Sequence, residues 1–204
     1  RCEDMVLSQQ THTANVRVVT GADRGKGITR ERDYTDVDGL ITNEPGICLV
    51  TSFADCVPLY FVDPVKKAIG LSHSGWRGTV GKIGKRTVEM MGESFGSDPA
   101  DILAAVGPSV CMDCYEVSGD VIEKFRQVFD EKLWPELFYE KENGKCQLDL
   151  WKANELIFLE SGILPEHMAV TNLCTHCNSE ILYSHRAAGD KRGNLCAFLA
   201  LKEG

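Results

Sequence analysis

Short apolar runs of strand length, separated by charged or glycine-rich turns, dominate this chain, and only three stretches carry a helical period. The runs Val16–Thr20, Asp38–Thr42, Ile47–Ser52, Leu59–Val62, Ala68–Leu71, Ile102–Val106, Met168–Leu173 and Leu195–Leu201 favour a pleated backbone, and Met5–Gln10 opens a further strand. Helical periodicity appears from Thr79 to about Glu93, where Val80, Ile83, Val88 and Met91 share one face. It recurs over Glu116–Phe129 and Leu148–Leu159, with Gly162 suited to stop the last. Asn43–Gly46 and Asp63–Lys67 read as turns. Gly21–Asp36 is a charged loop; its GADRGKG segment superficially resembles a phosphate loop but lacks the Gly-Lys-Ser/Thr ending and an apolar helix after it. Strands and helices mix without a regular βαβ alternation. The expected class is α+β, with mixed β-sheets forming a central core flanked by helices.

Two of these runs bring chemistry together. Leu59–Val62 and Ala68–Leu71, joined by the Asp63–Lys67 turn, read as a β-hairpin, which returns the chain to its starting end. Cys56 precedes the first run and His73 follows the second, so thiol and imidazole should lie close together. Such a pair serves as part of a metal site or as nucleophile and base, and a buried cysteine beside a hydrogen-bonded histidine with no role is equally compatible. Beyond it, Gly75 and Gly78 permit close backbone approach, and the N-terminus of the helix expected after Gly78 favours an anion.

Composition narrows the partners. The net charge of −8 argues against a nucleic-acid or anionic-membrane surface. No apolar run approaches the ~18 residues of a membrane span, and no basic-then-apolar leader opens the chain. Nine cysteines, an odd number at irregular spacing, do not form a secreted disulfide framework, and a reducing, cytoplasmic compartment is expected. No repeat or low-complexity linker divides the 204 residues, so 1–204 is expected to be a single domain.

Gln-Thr-His-Thr at 10–13, Ala-Asp-Cys-Val-Pro-Leu at 54–59 and His-Ser-Gly-Trp-Arg-Gly at 73–78 occur in an order and spacing that resemble the laccase-domain family, also called the YfiH or polyphenol-oxidase family and associated with purine nucleoside phosphorylase activity. Asp38-Gly39, Gly107-Pro108-Ser109, Cys114-Tyr115-Glu116-Val117, Asp149-Leu150, Cys174-Thr175 and Tyr183-Ser184-His185-Arg186 extend the resemblance over nearly the whole chain. The resemblance implies a YfiH-like fold and zinc ligands at His12, Cys56 and His73. Two imidazoles and a thiolate would leave a tetrahedral ion one open position, the mark of a catalytic zinc. Family members also carry an N-terminal segment with an Arg-x-Gly-Gly loop, which this sequence is expected to lack, and an anion-binding arginine with it.

The remaining candidates are graded by their chemistry. Arg77 and Arg186 offer guanidinium forks matched to phosphate, although either could make a structural ion pair. Trp76 could stack on a purine or pack in the core, and Asp55 could orient a ligand histidine or act in acid–base work. His176 and His185 are weaker candidates, and His167 reads as a surface residue. Cys111-x-x-Cys114 and Cys174-x-x-Cys177 could make a four-cysteine zinc site. The gap between the pairs exceeds that of usual zinc modules, so they read first as ordinary core or loop cysteines. The resemblance implies a zinc enzyme whose small-molecule partners are a purine nucleoside (inosine, adenosine or methylthioadenosine) and phosphate, with adenosine deamination as a related activity. A cysteine hydrolase using Cys56 and His73, with cell-wall precursors as substrates, is the alternative, and a non-catalytic metal-binding fragment a third. A copper laccase is disfavoured. Coupled copper centres need on the order of ten imidazoles, and the chain has five histidines.

Overall fold

The computed structural model describes residues 1–202. Its strands are β1 (Met5–Leu7), β2 (Val16–Val18), β3 (Gly39–Thr42), β4 (Cys48–Phe53), β5 (Val57–Asp63), β6 (Ala68–Ser74), β7 (Leu103–Val106), β8 (Glu116–Val117), β9 (Phe138–Glu140), β10 (Cys146–Leu148), β11 (Met168–Val170) and β12 (Leu195–Ala200). The helices are α1 (Trp76–Val80), α2 (Ile83–Phe95), α3 (Gly119–Arg126), α4 (Trp134–Leu137), α5 (Leu150–Glu160) and α6 (His185–Ala188). The class is α+β, as expected. Among the described residues, no helix is long and apolar enough to cross a membrane.

A six-stranded mixed sheet in the order β11-β7-β5-β6-β3-β2 forms the middle layer. Its axis is the expected hairpin, β5 antiparallel to β6 with Leu59 opposite Ser72 and Pro58 opposite His73. All seven residues of β6 are buried because both faces of the sheet are covered. The period of two then sorts its side chains. Val57, Leu59 and Phe61 join the core made with Ile83, Val88 and Met91 of α2 and Ile157 and Phe158 of α5. Leu40, Ile69 and Leu71 face a second core with Val6, Leu49 and Phe53 of the three-stranded sheet β1-β4-β12. Gly70 is the close approach of helix to sheet. A Cβ there would stand 2.9 Å from Thr87 Cγ2 and 3.3 Å from Met91 Sδ. A small antiparallel sheet, β8-β10-β9, packs beside the helical layer.

Several elements differ from the sequence pattern. β3 and β4, joined by the expected turn, pair in different sheets. The helix expected from Thr79 begins three residues sooner, at Trp76, and breaks at Gly81–Lys82, where Lys82 takes φ +53°. Gly78 and Gly81 are poor helix formers, and Lys82 finds its partner outside the helix at Glu160 Oε2, 2.6 Å away. A helix as short as α1 presents little dipole, so the anion site expected at its N-terminus has weak backing. Residues 116 and 117 are strand rather than helix, paired with β10, and α3 starts only after Ser118.

The GADRGKG segment holds an internal ion-pair cluster. Asp23 accepts from Arg17 Nη2 at 3.0 Å and Lys26 Nζ at 2.7 Å, and Lys26 also reaches Asp33 at 2.8 Å. Asp23 closes a capping box with Thr20. Burial pushes the Asp23 carboxyl up, but bonds from Lys26, the Thr20 amide and Arg17 outweigh it and hold it at about 2, below its ordinary 3.8. The resulting stabilisation is present above pH 3.8 and is lost as the pH falls through about 2. Asp23→Asn should therefore lower the thermal midpoint at neutral pH, and a calorimetric pH series should show the gap to wild type closing between pH 3.8 and 2.

Candidate metal centre and its two clefts

The hairpin sets Cys56 just before β5 and His73 near the end of β6. His12 arrives from the loop between β1 and β2, with its backbone at φ +65°. Ring nitrogens and thiol lie within 4.8 Å of one another, Cys56 Sγ stands 3.9 Å from His12 Nε2, and the two rings meet edge to face at 5.0 Å. Gly75 is pressed against this trio. A Cβ there would lie 2.9 Å from both Cys56 Sγ and His12 Cδ2, so only glycine leaves room for these two side chains.

Asp38 holds the assembly. Fully buried, it accepts from the amides of Thr11 (3.2 Å), His12 (3.1 Å) and Thr13 (2.8 Å), from Thr13 Oγ1 (2.8 Å) and from His73 Nδ1 (2.8 Å). These bonds keep the His12 loop folded and commit His73 Nδ1 to Asp38, leaving Nε2 as the nitrogen able to bind a metal. Burial would raise the Asp38 carboxyl, but His73 and the Thr13 contacts hold it below the ordinary value. Burial also pushes the Cys56 thiol up, and hydrogen bonds from His12 and His73 outweigh that and bring it to about 6. His73 moves the other way. Burial disfavours its charge, yet Asp38 and Cys56 raise it to about 9. Two imidazoles around an easily ionised thiol form a donor set that fits a borderline-soft divalent ion.

Two clefts meet at His12 and Cys56, and His73 faces the first of them. One, of about 430 Å³, lies against Gln10, His12, Cys56 and His73 with Arg32 and Arg192 on its wall. The other, of about 330 Å³, is lined by Cys56, Trp76, Arg77, Tyr115, His185 and Arg186, among others. Thus Arg77, Arg186 and Trp76 all reach one cleft. Arg77 stacks over Trp76 at 4.2 Å and Arg186 over Tyr115 at 4.7 Å, so each arginine covers one ring face. Arg186 also donates through Nη1 to Glu116 O at 2.7 Å.

Asp55 lines the same cleft but is placed differently from the expectation. Its carboxylate accepts from Thr175 Oγ1 and from the Arg186 amide, both at 2.6 Å, and the histidine-orienting carboxylate is Asp38 instead. Sequence reading passed over Asp38 as a ligand orienter, although a charged residue directly before the apolar strand Gly39–Thr42 was a usable signal. Tyr115 and Arg192 were also missed, since nothing local marks them. His185 reaches the cleft; His167 and His176 are not among the residues lining either cleft.

The family profile described as multi-copper polyphenol oxidoreductase laccase matches residues 1–202. The chain belongs to that family. Among members of the laccase family, the purine nucleoside phosphorylase YlmD of Bacillus subtilis is 39% identical over 98% of this chain and 72% of its own length. The adenosine deaminase RL5, from an unknown prokaryotic organism, is 34% identical over 94% of this chain and 72% of its own length. The crystal structure of the Bacillus licheniformis hypothetical protein YfiH superposes with a TM-score of 0.94 at 36% identity, covering 99% of this chain and 76% of that one.

Asp38→Asn replaces an acceptor of five bonds with an amide that must turn a donor towards some of them. It should cost about 3 kcal/mol in urea denaturation, as expected for breaking a buried charged network, and accelerate hydrogen exchange at the Thr11, His12 and Thr13 amides. Affinity for zinc, read by competition with a chromogenic chelator, should fall about 10–100-fold.

Proposed function

We propose that this chain is a zinc-dependent purine nucleoside phosphorylase, converting inosine, adenosine or methylthioadenosine and phosphate to ribose 1-phosphate and the free base. The observation that carries the reading is the His12, Cys56 and His73 donor set, whose His12 and Cys56 line a cleft that also presents aromatic rings and arginines. Family relatives named for purine nucleoside phosphorylase and adenosine deaminase support the substrate class. Zinc suits two imidazoles and one thiolate, whereas coupled copper centres would draw on about twice the five histidines present. His12, Cys56 and His73 would hold the ion, which when bound supplies Lewis acidity at its open position.

The chain's own residues do the rest. Arg77 and Arg186 neutralise the incoming phosphate, and stacking on Trp76 and Tyr115 holds both guanidinium planes at little further entropic cost. A phosphate oxygen bonds to the ribose C1′ as the C1′–N9 bond breaks, and the electron pair leaves on the base. The departing base takes a proton at N7, for which His185 on the cleft wall is the imidazole in reach. Asp55, with both oxygens engaged, holds the cleft wall instead of moving a proton. Deamination of adenosine would use the same cleft with water in place of phosphate. The alternative, a cysteine hydrolase, draws on one specific observation: Cys56 lies beside His73, whose hydrogen bond lowers the thiol while Asp38 raises the imidazole.

The test is hypoxanthine release from inosine by the full chain, with and without phosphate. Release should require phosphate and disappear in Cys56→Ala, and Arg77→Ala should raise the phosphate KM about tenfold or more. Phosphate-independent turnover, or turnover that survives Cys56→Ala, would sink the phosphorylase reading. Stoichiometric inactivation by a thiol alkylator of protein shown to be zinc-free yet active would move the assignment to the hydrolase.

A further inference from the structure

The two Cys-x-x-Cys pairs, expected to be ordinary cysteines, meet in space. The sulfurs of Cys111, Cys114, Cys174 and Cys177 all lie within 4.8 Å of one another, with Cys114 and Cys177 at 3.5 Å. Topology brings them there. β7 and β11 are parallel neighbours, so the chain leaves both strands at the same end of the sheet, and the two exit loops are tied by Ser109 N to Leu173 O and Thr175 N to Ser109 O, each 3.1 Å. Each loop then presents its cysteine pair to the other.

We propose that these four cysteines bind a second zinc ion, a closed structural site distinct from the His12–Cys56–His73 centre. A tetrahedral zinc at about 2.3 Å from each sulfur sets the sulfurs about 3.8 Å apart, between the 3.5 Å of Cys114 and Cys177 and the 4.8 Å within which all four lie. Four sulfurs leave no open position, which makes the site structural. Binding displaces the thiol protons and leaves a centre of formal charge −2. Backbone amides already point at it: Cys111 N and Cys177 N donate to Cys174 Sγ at 3.3 and 3.4 Å, bonds that favour a thiolate. A disulfide would join only two of the four and leave the other pair of converging sulfurs without a purpose.

The ion would also shape the cleft. Thr175, between the ligands Cys174 and Cys177, donates to Asp55, and Val110 N, next to Cys111, donates to Asp55 O at 3.1 Å. Asp55 directly precedes Cys56, and Tyr115 on the cleft wall directly follows Cys114. A zinc clamp on the two loops therefore fixes the backbone on which one wall of the cleft is built.

Elemental analysis of the full chain, purified without added metal, tests this independently of any turnover. Wild type should carry two zinc ions, Cys56→Ser one, and Cys111→Ser/Cys177→Ser one. The cobalt-substituted Cys56→Ser protein should keep the intense thiolate-to-metal bands of a four-sulfur site, and the double variant should lose them. Should the double variant fail to fold, alkylation of the native wild type decides. Cys177 is exposed, as are Cys2 and Cys196, so burial cannot protect it; bound zinc should slow its modification at least tenfold relative to those two until a chelator is added. A single zinc lost with Cys56, iron in place of zinc, a Cys114–Cys177 disulfide in non-reducing mass spectra, or Cys177 reacting as fast as Cys2 would each overturn the proposal.

Discussion

The buried carboxylate of Asp38 is the constraint on which the candidate site depends. Three consecutive amides from Thr11 to Thr13 and the Nδ1 of His73 converge on it, so one side chain joins a loop, a strand start and the end of a second strand. Without that charge His12, held with a left-handed backbone in an exposed loop, would have little reason to stay beside Cys56. A buried charge is costly unless its acceptor capacity is filled, and here the filling is what shapes the site.

Around this centre the fold divides its labour by layer. The β5–β6 hairpin is buried on both faces, and its period of two sends Leu59 and Phe61 into the helical core while His73 comes out on the opposite face. The arginines of the cleft come from elsewhere, Arg77 from a one-turn helix after β6 and Arg186 from the short α6 near the C-terminus. Their stacking on Trp76 and Tyr115 makes the cleft wall alternately cationic and aromatic, the surface that a phosphate-bearing or purine-bearing ligand requires.

Asp55 links the four-cysteine cluster to the candidate centre. Its φ of +80° places it on a strained turn immediately before Cys56, and it is kept there by Thr175 and by the Arg186 amide. The loops after β7 and β11 thereby buttress the candidate centre from outside. Packing alone does not explain four sulfurs gathered in those loops, one of them on an exposed residue, because a thiol contributes little as an exposed hydrophobe.

The sequence by itself determined the hairpin, the pairing of Cys56 with His73, the amphipathic faces of α2, α3 and α5, and the α+β class. Each follows from local period, turn chemistry and propensity, which act over a few residues. The family motifs added His12, which no local pattern could join to the pair. The tertiary structure alone decided the rest: that Asp38 rather than Asp55 contacts His73, that the helix after Gly75 breaks at Lys82, that β3 and β4 part into different sheets, and that two distant Cys-x-x-Cys pairs meet. These depend on which strands become neighbours and on which buried polar groups must find partners. Such choices are made between segments far apart in the chain, where spacing along the sequence carries no distance information.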